Sequence, residues 1–133
     1  MSHQIIQPEG WAPAKGYANG VLTRGNVLHI GGQIGWNSQK EFETDDFVAQ
    51  LKQTLENVRA IVEAAGGQVE DIVRMTWFVT DKQDYLSRQR EVGGAYQQVL
   101  GKHFPALSML VVADLIEDRA KIEIEATAEL APR

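Results

Sequence analysis

The stretch Phe104–Leu130, FPALSMLVVADLIEDRAKIEIEATAEL, constrains the fold more than any other part of the chain. It holds two runs with a period of two. In Lys121–Ala128, the residues Ile122, Ile124, Ala126 and Ala128 alternate with Lys121, Glu123, Glu125 and Thr127. That pattern is a strand with one buried face. In Ala106–Ala113 both faces are apolar. Ala106, Ser108, Leu110 and Val112 share one, while Leu107, Met109, Val111 and Ala113 share the other. Such a strand needs cover on both sides.

The preceding chain supplies cover for one side. Ile5–Ala14 carries Pro8 and Pro13 and reads as a short strand or extended arm followed by a loop. Tyr17–Arg24 and Val27–Gly31 are β-rich runs joined by Gly25-Asn26, a hairpin signal. Gly31-Gly32-Gln33-Ile34-Gly35 is expected to end the second strand, where the backbone passes close to another group. Thr44–Ala65 is the clearest helix, with Phe47, Val48, Leu51, Leu55, Val58 and Ile61 in one stripe. Thr44 is its expected N-cap, Asp45 and Asp46 suit its positive end, and Gly66-Gly67 stops it.

Asp71–Thr80 reads as a strand with Val73, Met75, Trp77 and Val79 on one face and Ile72 and Phe78 on the other. Asp84–Leu100 reads as a second helix, weakened by Gly93-Gly94. The order β-β-β-α-β-α-β-β predicts an α+β fold, a mixed sheet with two helices packed on one face. Two helices cover one face only. The second face is therefore expected to be buried against another copy of the chain; long loops are the alternative.

The 133 residues make one expected domain, 1–133. At 44% hydrophobic and 23% charged residues the chain can build a core and stay soluble. The absence of cysteine excludes disulfides and thiolate metal sites and fits a reducing, cytoplasmic setting. No run is long and apolar enough for a membrane span, and MSHQIIQPEG lacks the pattern of a secretory signal. A net charge of −5 argues against a nucleic-acid surface, so no nucleic-acid or membrane partner is expected.

Most catalytic motifs are missing. There is no nucleophile elbow, no Walker-type phosphate loop and no dinucleotide fingerprint. His3, His29 and His103 have no ligand spacing. The glycine-rich Gly31–Gly35 segment could hold an anion through its amides or serve packing alone. Arg88 and Arg90 read as solvated positions of the second helix. Glu123 is the titratable group of most interest, because it alternates onto the face assigned to a neighbouring copy. Desolvation there would raise its pKa and suit it to acid–base work. The other reading is a paired, exposed glutamate beside Lys121 and Glu125.

Several segments together carry a family resemblance. They are Ala14–Gly20 (AKGYANG), Gly31-Gly32-Gln33-Ile34, Leu55-Glu56-Asn57-Val58 with Glu63–Gly66, Phe78-Val79-Thr80-Asp81, Phe104-Pro105-Ala106 and Ile122–Ala126. In order and spacing the chain resembles the RidA/YjgF family of reactive-intermediate deaminases, known also under the names endoribonuclease L-PSP and translation inhibitor. The resemblance implies a chorismate-mutase-like (YjgF-like) α+β fold, a homotrimer, and three clefts between subunits. It also implies hydrolysis of enamines and imines such as 2-aminoacrylate to keto acids and ammonia, with no metal or organic cofactor.

By that resemblance Glu123 and Tyr17 are catalytic, and Gly31, Gly32 and the Leu107 position line the small-molecule cleft; Ser108 and Trp36 are further expected substrate-binding residues. Two positions depart. The family's carboxylate-gripping arginine is replaced by Leu107, and its helix asparagine falls at Gly93. Leucine cannot form the bidentate, charge-assisted pair. The expected activity is therefore an enamine or imine hydrolase that does not rely on an arginine clamp. The alternatives are a non-catalytic trimer that binds a metabolite in an apolar cleft of Leu107, Trp36 and Met109, and a ribonuclease or translation inhibitor, which the acidic charge disfavours.

Overall fold

The structure, a computed structural model, describes residues 3–132. Six strands form one sheet: β1 (Gln4–Ile6), β2 (Gly20–Leu22), β3 (Val27–Ile34), β4 (Ile72–Val79), β5 (Ala106–Val111) and β6 (Ile122–Glu129). Their spatial order is β1-β2-β3-β6-β4-β5. All pairs are antiparallel except β4–β5, so the sheet is mixed. Helices α1 (Phe47–Ala64), α2 (Lys82–Leu86) and α3 (Gln89–Leu100) complete the expected α+β architecture, with α1 and α3 building the core on one face.

The core follows from two periodicities that meet. Leu51, Leu55, Val58, Ile61 and Val62 recur at helical spacing on α1 and are fully buried. They join Leu28 and Ile30 of β3 with Ile122, Ile124, Ala126 and Ala128 of β6, which recur at strand spacing. Full burial of one such aliphatic side chain stabilises the fold by about 1.5–3 kcal/mol.

The cap of α1 is one helical half-turn later than the sequence reading placed it. Asp46, not Thr44, is the N-cap, and its carboxylate accepts from the Ala49 amide at 2.9 Å. Thr44 Oγ1 accepts from the Asp46 amide instead. Both residue types cap helices well, so the sequence offered no choice between them. At the other end Gly66 adopts φ +89°, and Gly66 and Gly67 donate to Glu63 and Val62 carbonyls. This pair of bonds closes the helix as the glycines predicted.

The single second helix is two helices. Asp81 caps α2 by accepting from Gln83, and the chain leaves helical geometry at Arg88. The Arg88 guanidinium there binds Asp46 and Glu91, each at 2.6 Å. The break lets α3 present Val92, Tyr96, Val99 and Leu100 to the core independently of α2.

Two bulges correct the strand readings. Gly31-Gly32 lies inside β3 rather than at its end: Ile30 pairs with Ala126 but Gln33 pairs with Ile124, three steps against two. In β4, Ile72 pairs with Ala128 and Arg74 with Thr127. The extra residue turns Val73 outward, 46% exposed, and puts Ile72 in the core. The alternation of Val73 with Met75 therefore fails.

The doubly apolar strand is an edge. Leu107, Leu110 and Val111 of β5 are 43%, 47% and 53% exposed. The sheet face away from the helices also stays open at Arg74, Glu125, Ala106 and Ser108, so no described loop covers it. No helix among the described residues is long and apolar enough to cross a membrane.

Candidate active site

The bulge is where the candidate site begins. The Gly31 amide donates to the Asn19 carbonyl at 2.8 Å, and a Cβ on Gly31 would lie 2.9 Å from the Ala18 carbonyl oxygen. Gln33 Nε2 donates to Asn19 Oδ1 and to the Gly31 carbonyl, and Asn19 Nδ2 donates to Gln7. This amide network locks the segment after Tyr17 onto the bulge. Gly32, on the other side, lies against Glu123: a Cβ there would stand 2.8 Å from Glu123 Cδ and closer still to Oε2. The missing side chain leaves room for the carboxylate over the backbone.

Glu123 is half-buried, and its carboxyl group has no hydrogen bond or ion pair to any described residue. Burial first, and then the negative charge of Glu125, push its pKa above the usual carboxylate value. An uncompensated carboxyl whose charged form is disfavoured in this way is suited to hold and pass on a proton.

Tyr17 and Trp36 form a second patch. They border a notch of only about 10 Å³ with Asn19, Lys40 and Asn57. Lys40 Nζ stands 5.3 Å from the Tyr17 ring centroid and donates to the Pro13 carbonyl at 2.7 Å. Trp36 is held by Asn57, whose Nδ2 donates to the Trp36 and Ile34 carbonyls. Tyr17 itself is 48% exposed, so its phenol faces outward from the chain.

Leu107 belongs to a third place. Met75 pairs with Leu107, and Phe78 pairs with Glu123. Met75 and Phe78 are three residues apart on one strand, so Leu107 and Glu123 occupy opposite faces of the sheet. Leu107 and Met109 wall a groove of about 700 Å³ between β5 and α3, with Trp77, Gly93, Gly94 and Phe104. Ser108 points the other way, in register with Thr76. The structure thus joins Gly32 to Glu123 and Gly31 to the Ala18-Asn19 segment at the bulge, while Tyr17 and Trp36 border the separate notch; within one chain Leu107 lies across the sheet from Glu123, and Ser108 shares the Glu123 face two strands away. Within one chain Trp36 lies outside the groove that Leu107 and Met109 wall.

Sequence reading missed the amide network and the groove. Asn57 and Gln50 sit in the apolar stripe of α1, and a polar residue inside such a stripe is a readable signal of a buried hydrogen bond. The groove had a fainter signal: Gly93 and Gly94 weaken a helix without serving its ends. No three His, Asp or Glu side chains among the described residues cluster to hold a metal ion.

Comparison with known proteins agrees with this architecture. The family model described as endoribonuclease L-PSP matches residues 8–130. The Escherichia coli 2-iminobutanoate/2-iminopropanoate deaminase is 41% identical over 131 residues, covering 96% of this chain and 98% of that protein. Two solved structures superpose over 96% of this chain and 99% of their own. The RidA protein of the Antarctic bacterium Psychrobacter has a TM-score of 0.81 at 31% identity. Escherichia coli TdcF, solved with bound serine, has a TM-score of 0.80 at 34% identity. With the fold and these matches in agreement over nearly its whole length, the chain belongs to the RidA/YjgF family.

Proposed function

We propose that the protein is a metal-independent enamine/imine hydrolase of the deaminase type, acting on a small metabolite without an arginine carboxylate clamp. The observation that carries this reading is the fit of the unpaired Glu123 carboxyl against Gly32. The names of the deaminase relatives support the reaction class.

In this reading the working unit is a homotrimer. Leu107 and Glu123 lie on opposite sheet faces, so one cleft can hold both only if two chains supply them. The exposed apolar β5 edge supports such a junction, since an unpaired apolar edge favours association. Each cleft then joins the Leu107 groove of one subunit to the Gly32, Tyr17 and Glu123 end of the next.

The chemistry needs one proton donor and one water. The Glu123 acid protonates the enamine carbon and gives the protonated imine, an iminium, beside the Glu123 carboxylate. Its carboxylate then takes a proton from water as the oxygen attacks the C=N carbon. Glu123 then gives that proton to the carbinolamine nitrogen, the C–N bond breaks to release ammonia, and the hydroxyl proton returns to the carboxylate, leaving the ketone. The Gly32 amide and Tyr17 hydroxyl orient the ligand. Ammonia release from a panel of imines lacking an α-carboxylate tests this. Glu123→Gln should lower the rate by about a hundredfold or more; an unchanged rate removes Glu123 from the mechanism.

The apolar groove favours a second reading, a trimer that binds a metabolite and does not turn it over. Saturable binding by calorimetry with no product formed on prolonged incubation would select it.

A further inference from the structure

The groove between β5 and α3 carries one charged side chain, Arg90. Among the described residues Arg90 has no ion pair and no hydrogen bond, whereas Arg88, two residues earlier, is held by Asp46 and Glu91. The rest of the lining is aromatic, aliphatic, glycine or neutral amide. A cation alone on the rim of an apolar groove is complementary to one anionic group on an otherwise apolar ligand.

The topology sets where that anion would lie. The strands β4 and β5 are parallel and α3 lies in the connection between them, so α3 runs back against the direction of β5. Arg90 is in the first turn of α3, while Leu107 follows the helix's far end through Gly101 and Pro105. At 1.5 Å per residue, Arg90 and Gly101 are separated by about 16 Å along the helix. The cation therefore stands at the opposite end of the groove from Leu107. Between them lies Trp77, in register with Met109. Its Nε1 is the one buried side-chain nitrogen or oxygen among the described residues with no partner. That atom has no appreciable exposed surface, so what Trp77 offers a ligand in the groove is the apolar part of its ring.

We propose that the groove takes an elongated, amphipathic anion: an apolar body along Gly93 and Trp77, with an acidic group at its far end recognised by Arg90. This rests on the hydrolase reading only in making the Leu107 end the place of reaction. It turns the loss of the arginine at Leu107 into a change of substrate class. The acid is no longer bonded to the reacting carbon but carried on a spacer.

Keto acids, the products of such a reaction, are stable probes. Calorimetry on the assembled protein would compare levulinate, 9-oxodecanoate and 9-oxodecanamide. The long acid should bind about two- to fivefold tighter than its amide, the scale of a solvent-accessible ion pair, and tighter than levulinate. Arg90→Gln should erase the preference for acid over amide, while Arg90→Lys and Arg88→Gln should keep it. Equal binding of acid and amide, a preference that survives Arg90→Gln, or no binding of the long acid overturns the proposal. These are binding measurements without turnover. Failure to release ammonia would strike the hydrolase reading and leave this one standing.

Discussion

Gly32 and Glu123 interlock: the space that a Cβ on Gly32 would fill is occupied by the Glu123 carboxyl group. Gly31, one residue earlier, faces backbone instead, with the Ala18 carbonyl oxygen 2.9 Å from the position of its Cβ. The two glycines of one bulge therefore answer to different neighbours, and alanine at each should have a different effect. A carboxyl group at the end of a flexible side chain can swing away. Gly32→Ala should fold with a stability change within about 1 kcal/mol and lose activity by displacing Glu123. A backbone carbonyl cannot yield so easily, so Gly31→Ala should destabilise by about 1–3 kcal/mol. Denaturant melts beside rate measurements separate the two; equal stability losses would contradict this packing.

The ionisation of Glu123 gives a pH dependence with a definite sign. Its folded pKa is raised above the usual 4.5 by burial and by Glu125. The folded chain thus holds this proton more tightly than the unfolded chain. The resulting stabilisation is present below the unfolded value and is lost as pH rises through the folded value. Glu123→Gln removes that loss. Melting temperatures of wild type and variant should converge near about pH 4 and separate in favour of the variant towards about pH 8. A difference that is flat with pH would mean the carboxyl is not desolvated.

Gly93 and Gly94 sit inside α3, and a Cβ at either meets nothing within 4 Å. Glycine in a helix interior is less favourable than alanine by about 0.5–1 kcal/mol. Gly93→Ala and Gly94→Ala should each stabilise the chain by that amount in chemical denaturation. A destabilised variant would show that a neighbouring subunit packs against these positions.

Leu107 stands at the groove wall and is 43% exposed, so an arginine fits there without disturbing the core. Leu107→Arg should gain hydrolysis of 2-iminopropanoate by about tenfold or more, the scale of charge-assisted hydrogen bonds to a carboxylate. No gain would place the substrate's carboxylate away from β5.

The elements legible in the sequence were those with a strong local period. The stripe of α1 and the alternation of β6 are periodicities of single segments, and both stand as read. The Gly25-Asn26 hairpin and the Gly66-Gly67 stop are local backbone chemistry, with Asn26 at φ 64° and Gly66 at φ +89°. Glu123 and Gly31-Gly32 were readable as candidates from alternation and the glycine-rich run, and Tyr17 from the family pattern alone. Bulges were not readable, because an extra residue shows only against its partner strand. Val73 and the continuation of β3 were misplaced for that reason. The break at Arg88 was hidden likewise, because its ion pairs reach Asp46, distant in sequence.

By itself the sequence determined the α+β class, the identity of the buried stripes, the missing arginine at Leu107 and the excess of apolar surface on β5. Those are properties of residue type and period. Only the tertiary structure decided which side each candidate faces. Strand pairing sets that parity, and it put Glu123 beside Gly32 and Leu107 across the sheet from them. The same pairing left β5 at the edge and opened the groove that Arg90 overlooks.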